Sequence, residues 1–293
     1  MSQTFKQNII ALVYDFDGTL SPQPMQEYTV LPELDINAND FWLECKKEAK
    51  KYNADGMLTY MRLLIEKIEL KHSHLDRKGL RNLAKDIKYF PGVETWFGRI
   101  NNHVKEKSGG KIKVRHYIIS AGLKEILEGI TIRKHFEKMY ASEYYFDHHD
   151  AARFPTVVIN DTSKTQYIFR INKGIEDINQ SINEYMPESE RPIPFSNMIY
   201  IGDGLTDVPC MTVTKNNGGY ALAVHKPNSP ESASTCRELA KANRIDYFAP
   251  ANYKKGKKLE KRVKLILDVI IAKIRFQKEQ FSFRRDMEKQ IDM

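Results

Sequence analysis

The sequence predicts an α/β protein: a parallel sheet with a small helical insertion after its first strand. Three observations carry this. Short apolar runs end on polar residues and glycine at Ile9–Tyr14, 114–119 and 198–201, as buried parallel strands do. Between residues 40 and 88 apolar residues instead recur at helical spacing, with little strand signal. After Phe90-Pro91-Gly92 the alternation of strand and helix patterns resumes.

Taken in order, Ile9–Tyr14 is the first strand, ended by Asp15, Asp17 and the turn residue Gly18. Ser21-Pro22-Gln23-Pro24 is a stiff exit. Phe41, Trp42, Cys45 and Ala49 mark one insertion helix; Met57, Met61, Leu64 and Ile68 mark another; Leu80, Leu83, Ala84 and Ile87 a third. Residues 93–104 read as a helix, 114–119 as a strand running into Ser120-Ala121-Gly122, and 123–129 as the start of a helix. A strand is expected over 139–146, with 154–159 a strand or one arm of a hairpin. A long helix is expected from Ser163 to about Tyr185, then a surface connection over 187–192. Strands follow at 198–201, 220–224 and 245–248. Leu259, Val263, Ile266, Leu267, Ile270 and Ile274 give the closing helix one apolar face. The expected division is a core of residues 1–20 and 90–293 and a helical cap of residues 21–89.

The totals narrow the class. With 293 residues, 41% hydrophobic and 29% charged, the chain can bury a full core plus a smaller unit. Cys45, Cys210 and Cys236 form no CxxC pair, so neither a disulfide framework nor a zinc site is expected, and a cytoplasmic setting fits. No basic stretch followed by a long apolar one opens the chain, so no signal peptide is expected. No apolar run approaches the roughly 20 residues of a membrane span. The net charge of +8 suits anionic small substrates; without zinc-finger, RNA-binding or basic-zipper patterns, nucleic acid is not the expected partner.

The chemistry sits at the strand ends. Open α/β sheets bind ligands at the carboxyl ends of their strands. Asp15 and Asp17, two residues apart there, repel each other unless a cation or shared proton intervenes. Mg²⁺ would serve, and one carboxylate could then attack phosphorus while the other handles protons. Ser120 reads alone as a helix N-cap, yet its hydroxyl and the amides of Ala121 and Gly122 could also hold an anion. Asp203 and Asp207 follow a third apolar strand and suit a metal better than a plain turn. Lys164 would begin a helix and could point into such a site; its rival Lys173 lies nine residues, or roughly 13 Å, further along. His148-His149-Asp150 reads as a solvated loop, and Trp42 and Trp96 as packing residues.

In chain order, Asp15-Phe16-Asp17-Gly18-Thr19, Ser120-Ala121-Gly122, Ser163-Lys164-Thr165 and Gly202-Asp203-Gly204-Leu205-Thr206-Asp207 resemble the four motifs of the haloacid dehalogenase superfamily. The insertion resembles that superfamily's first, helical cap type, and the layout is similar to phosphoserine phosphatases. The resemblance implies a Rossmann-like core and a Mg²⁺-dependent phosphatase working through an aspartyl-phosphate. It implies Asp15 as nucleophile and Asp17 as acid and base. Ser120 and Lys164 would bind the phosphoryl group. Asp15, Asp203, Asp207 and the backbone carbonyl of Asp17 would hold Mg²⁺. A phosphomutase or other phosphotransferase is the alternative, and a non-catalytic binding protein a second. The substrate would be a small phosphorylated metabolite, selected by the cap through Gln26, Glu27 and Tyr28, and the chain a monomer or homodimer without nucleic-acid or membrane partners. Phosphoserine phosphatases carry a serine where Gly18 stands and an acid where Pro24 stands, so phosphoserine itself does not follow.

Overall fold

The computed structural model describes residues 4–71 and 75–291. Residues 72–74 of the expected cap, and the ends of the expected core, therefore lie outside the described residues. Among the described residues seven strands form one sheet: β1 (Ile9–Tyr14), β2 (Lys113–Leu123), β3 (Phe136–Phe146), β4 (Ala152–Val157), β5 (Met198–Gly202), β6 (Tyr220–His225) and β7 (Tyr247–Pro250). Their order is β4-β3-β2-β1-β5-β6-β7, parallel throughout except for β4, which pairs antiparallel with β3. The chain thus has the α/β class and the parallel sheet that its sequence predicts.

Helices intervene in chain order: α1 (Met25–Tyr28), α2 (Val30–Glu33), α3 (Ala38–Tyr52), α4 (Gly56–Leu70), α5 (Arg77–Leu83), α6 (Val93–Ser108), α7 (Lys124–Leu127), α8 (Lys164–Lys173), α9 (Val208–Asn216), α10 (Pro230–Lys241) and α11 (Lys258–Ile291). Strand alternation divides the core into two layers. Ile10, Leu12 and Tyr14 of β1 belong to the layer that also holds α1–α7 and α11; Ala11 and Val13 belong to the layer of α8, α9 and α10. Both faces of β1 are covered, which is why it is apolar at every position rather than at alternate ones.

Local chemistry sets the helix ends. Asp55 caps α4, its carboxylate accepting the amides of Met57 and Leu58, and Asp76 caps α5. The long helix expected from Ser163 stops at Lys173, a correction with a clear cause. Gly174 takes a left-handed conformation (φ 67°), and its N–H returns to the carbonyls of Arg170 and Ile171. The buried Arg170 guanidinium then binds the carbonyls of Asp177, Ile178 and Gln180, folding the following segment back as a loop. The helix expected over 123–129 is a single turn, α7, because β2 continues through Gly122 to Leu123. Beyond Ile274, α11 leaves the core and exposes Phe276 and Phe283. No helix among the described residues is long and apolar enough to cross a membrane.

Candidate active site

Strands β1 and β5 lie side by side, and Asp15 extends the pairing by donating its N–H to Ile201 at 2.9 Å. From β1 the chain passes to one side of the sheet, and from β5 to the other. Open α/β sheets place their ligand crevice where that order reverses, outside the carboxyl ends of both strands. Asp15 and Asp17 follow β1 there, and Asp203 and Asp207 follow β5.

Two glycines let these acids meet. Gly18 has φ 81°, and a Cβ on it would lie 2.2 Å from Asp203 Oδ2. A side chain would therefore be strained and would displace the carboxylate. A Cβ on Gly202 would lie 2.2 Å from Asp207 Oδ2, so glycine there lets the Asp207 carboxylate fold back and accept the Asp203 N–H at 3.0 Å.

Lys164 is the cation of the site. It is 2% exposed, and its Nζ donates to Asp15 Oδ1 and Asp207 Oδ1, both at 2.9 Å. Asn160 and Ser163 fix the start of α8 reciprocally, each side chain accepting the other's backbone N–H. Lys173 turns away to the carbonyls of Ile182 and Glu184. Asp207 is fully buried and also accepts from Tyr200 Oη at 2.7 Å, so it holds the lysine, the Asp203 loop and the tyrosine together. Tyr200 escapes the sequence reading; a hydroxyl inside an apolar strand, with an acid seven residues on, is its one sequence signal.

One ammonium does not balance these carboxylates. Burial pushes Asp15 up to about 6, with Lys164 opposing and Asp207 adding to the rise. Burial, then Asp15 and Asp207, pushes Asp203 up to about 8. Asp17 is raised well above its usual range by burial and then by Asp15. Lys164 is held well above the usual lysine range: burial opposes its charge, and Asp15 and Asp207 outweigh that. Carboxylate oxygens of Asp15, Asp203 and Asp207 lie within 4.8 Å of one another, a hard-oxygen set whose uncompensated charge fits a divalent cation. The Asp17 side chain is outside this group; its Oδ1 accepts the Met25 N–H at 2.9 Å.

Ser120 is buried at the end of β2, where its Oγ accepts the Gly122 N–H at 2.9 Å. That amide, expected as an anion donor, is thus engaged, while the serine keeps its own O–H to give. The Leu123 N–H meets Met25 Sδ at 3.2 Å, and the Ala121 carbonyl accepts from Tyr60 and Ser142. His148 and His149 are exposed on the turn between β3 and β4.

Replacing Lys164 tests this balance. Lys164→Met should lower the unfolding free energy by about 3–5 kcal/mol, because it leaves buried acids without their cation. Urea unfolding at neutral pH measures it; a loss under about 1 kcal/mol would mean that the acids are neutral without the lysine.

No family model matches the chain. A Borreliella burgdorferi protein described as uncharacterized is 31% identical over 281 residues, spanning 87% of this chain and 95% of that one. Among solved structures, a HAD family hydrolase from Salmonella enterica serovar Typhi superposes with TM-score 0.55 at 16% identity, covering 86% of this chain and 70% of its own. A phosphoserine phosphatase solved as a phospho-aspartyl intermediate analogue gives 0.53 at 14%, covering 88% and 99%. A probable phosphoserine phosphatase from Vibrio cholerae gives 0.56 at 11%, covering 90% and 66%.

Proposed function

We propose that this chain, which belongs to one family with the Borreliella burgdorferi protein and has the haloacid dehalogenase-type fold, is a phosphomonoesterase working through an aspartyl-phosphate. The observation that carries the reading is the buried Lys164 bridging Asp15 and Asp207 at the sheet's switch point, with Asp17 two residues beyond Asp15. Phosphoryl transfer needs positioning and charge stabilisation, and these groups supply both.

In this reading the phosphoryl group of a phosphate monoester enters beside Asp15, Lys164 and Ser120. An Asp15 oxygen attacks phosphorus, the bond to the alcohol oxygen breaks, and Asp17 gives that oxygen its proton. Asp17 then takes a proton from water as the water attacks the aspartyl-phosphate, releasing inorganic phosphate and restoring Asp15. Lys164 and the Ser120 hydroxyl offset charge on the phosphoryl oxygens. Asp15, Asp203 and Asp207, with the Asp17 main-chain carbonyl, would hold Mg²⁺, which when bound supplies further positive charge for the transferring group. Residues 21–89 would act as a lid over the crevice. Buried, unpaired Cys45, Cys210 and Cys236 suit a cytoplasmic protein.

The test is phosphate release from a panel of small phosphomonoesters. Activity is expected with added Mg²⁺, with a fall of about 100-fold or more in excess chelator and recovery when Mg²⁺ is restored. Full activity in chelator would sink the metal assignment, an isomeric phosphate ester as sole product would make the protein a mutase, and no turnover of any ester would remove the enzymatic reading.

A further inference from the structure

A cavity of about 540 Å³ lies between α1, α3 and α4, lined by Pro24, Glu27, Trp42, Cys45, Met57 and Tyr60 among others. Two of its walls are fastened to the crevice. Tyr60, 3% exposed, gives its hydroxyl to the Ala121 carbonyl at 3.1 Å, one residue past Ser120. Pro24 precedes Met25, whose N–H binds Asp17 Oδ1 at 2.9 Å. The cavity is thus tied through Tyr60 to the residue after Ser120 and through Met25 to Asp17, the groups that in the reading above hold the phosphoryl group and protonate the leaving alcohol.

The lining says what that alcohol carries. Most of it is apolar, and the charged or amide groups Lys46 and Asn39 are exposed at the mouth. Trp42 and Tyr60 meet at 62° with ring centroids 5.8 Å apart, an aromatic corner. The one acid facing the cavity, Glu27, is oriented by the Trp42 indole N–H, which donates to Oε1 at 2.8 Å, leaving Oε2 for a donor. Gln26, buried beside the Tyr60 hydroxyl, has a side-chain oxygen without a partner among the described residues. A compact polar alcohol such as serine would leave these apolar walls wet and most of the volume unfilled. An aromatic ring fills the corner and buries apolar surface, and an N–H or O–H on its edge satisfies Glu27.

We propose that this cavity receives the alcohol part of the substrate and selects phosphate monoesters of alcohols bearing an aromatic ring, with Trp42 and Tyr60 against the ring and Glu27 accepting from its edge. The proposal rests on the phosphatase reading above, and its test separates the two. 2-Phenylethyl phosphate and ethyl phosphate leave as alcohols of similar basicity, so they place the same demand on Asp17 and differ in the ring. Expected is a kcat/KM ratio of about 30 in favour of the aromatic ester. A ratio within about threefold, or equal turnover of 2-cyclohexylethyl phosphate, would overturn the aromatic assignment while leaving the phosphatase reading standing. No phosphate release from any ester takes both down. Trp42→Ala should bring the ratio below about fivefold, chiefly through KM for the aromatic ester. Ala49→Phe fills the cavity from α3 without removing a hydrogen bond and should lower the ratio likewise, which keeps the test open if the tryptophan variant does not fold. An unchanged ratio in the folded variants would place the ring elsewhere and refute the cavity's role.

Discussion

Asp15→Asn is expected to lower phosphate release by about 10⁴ or more while leaving the protein folded. The amide is a poor nucleophile, so in the proposed mechanism the aspartyl-phosphate would not form, and the groups that remain would only bind and polarise the ester. The fold should tolerate the change for a specific reason. Asp15 is 5% exposed and its charge is costly there, with burial pushing the carboxyl up to about 6. Asparagine keeps the shape and the acceptor oxygen facing Lys164, and the lysine keeps Asp207 as a charged partner at 2.9 Å. No buried ion is left alone, the situation that makes a broken pair expensive. Circular dichroism and a thermal midpoint check folding, and phosphate release from a generic aryl phosphate checks activity. A folded variant within tenfold of wild type would remove Asp15 as nucleophile.

What the sequence made legible, and what it did not, follows from how far each signal reaches along the chain. Asp15, Asp203 and Ser120 are readable because a buried parallel strand is an unbroken apolar run, and the polar residue ending it stands at the sheet's carboxyl edge. Lys164 and Lys173 differ in where α8 carries them: its first residue reaches Asp15 and its last residue faces a loop, a difference that depends on how the helix stands against the sheet. Tyr200 was hidden because a tyrosine within a strand looks like packing, and only the return of Asp207 beneath Gly202 gives its hydroxyl a purpose. The end of α8 was missed because apolar spacing continues past Gly174, whereas the left-handed turn and the carbonyls gathered by Arg170 fix the chain in a loop. Trp42 reads as a packing residue, and it packs against the core beside Phe41 and Tyr60. Its indole N–H also reaches Glu27, 15 residues earlier, a contact between α1 and α3 that spacing along one helix does not show. Of Gln26, Glu27 and Tyr28, expected together as substrate readers, Glu27 lines the cavity and Gln26 lies buried beside Tyr60.

Asp17→Asn should cost about 10²–10⁴ in turnover of alkyl phosphates, the usual size of a general acid–base contribution. Asparagine can still accept the Met25 N–H through Oδ1, as Asp17 does at 2.9 Å, so the loop carrying α1 should stay in place. What disappears is the exchangeable proton. In the wild type, burial and the neighbouring Asp15 raise the Asp17 carboxyl well above its usual range, which favours the protonated form that a departing alkoxide needs. An ester of 4-nitrophenol places no such demand, since its phenolate leaves unprotonated. The first step should then survive in the variant while the second, which needs Asp17 as a base, becomes slow. Expected by stopped flow is therefore a burst of nitrophenolate stoichiometric with enzyme, followed by slow turnover, with no burst from the double variant that also carries Asp15→Asn. Equal losses for aryl and alkyl esters without a burst would give a different result: Asp17 would serve to hold Met25 and the loop, and the proton would have to come from elsewhere.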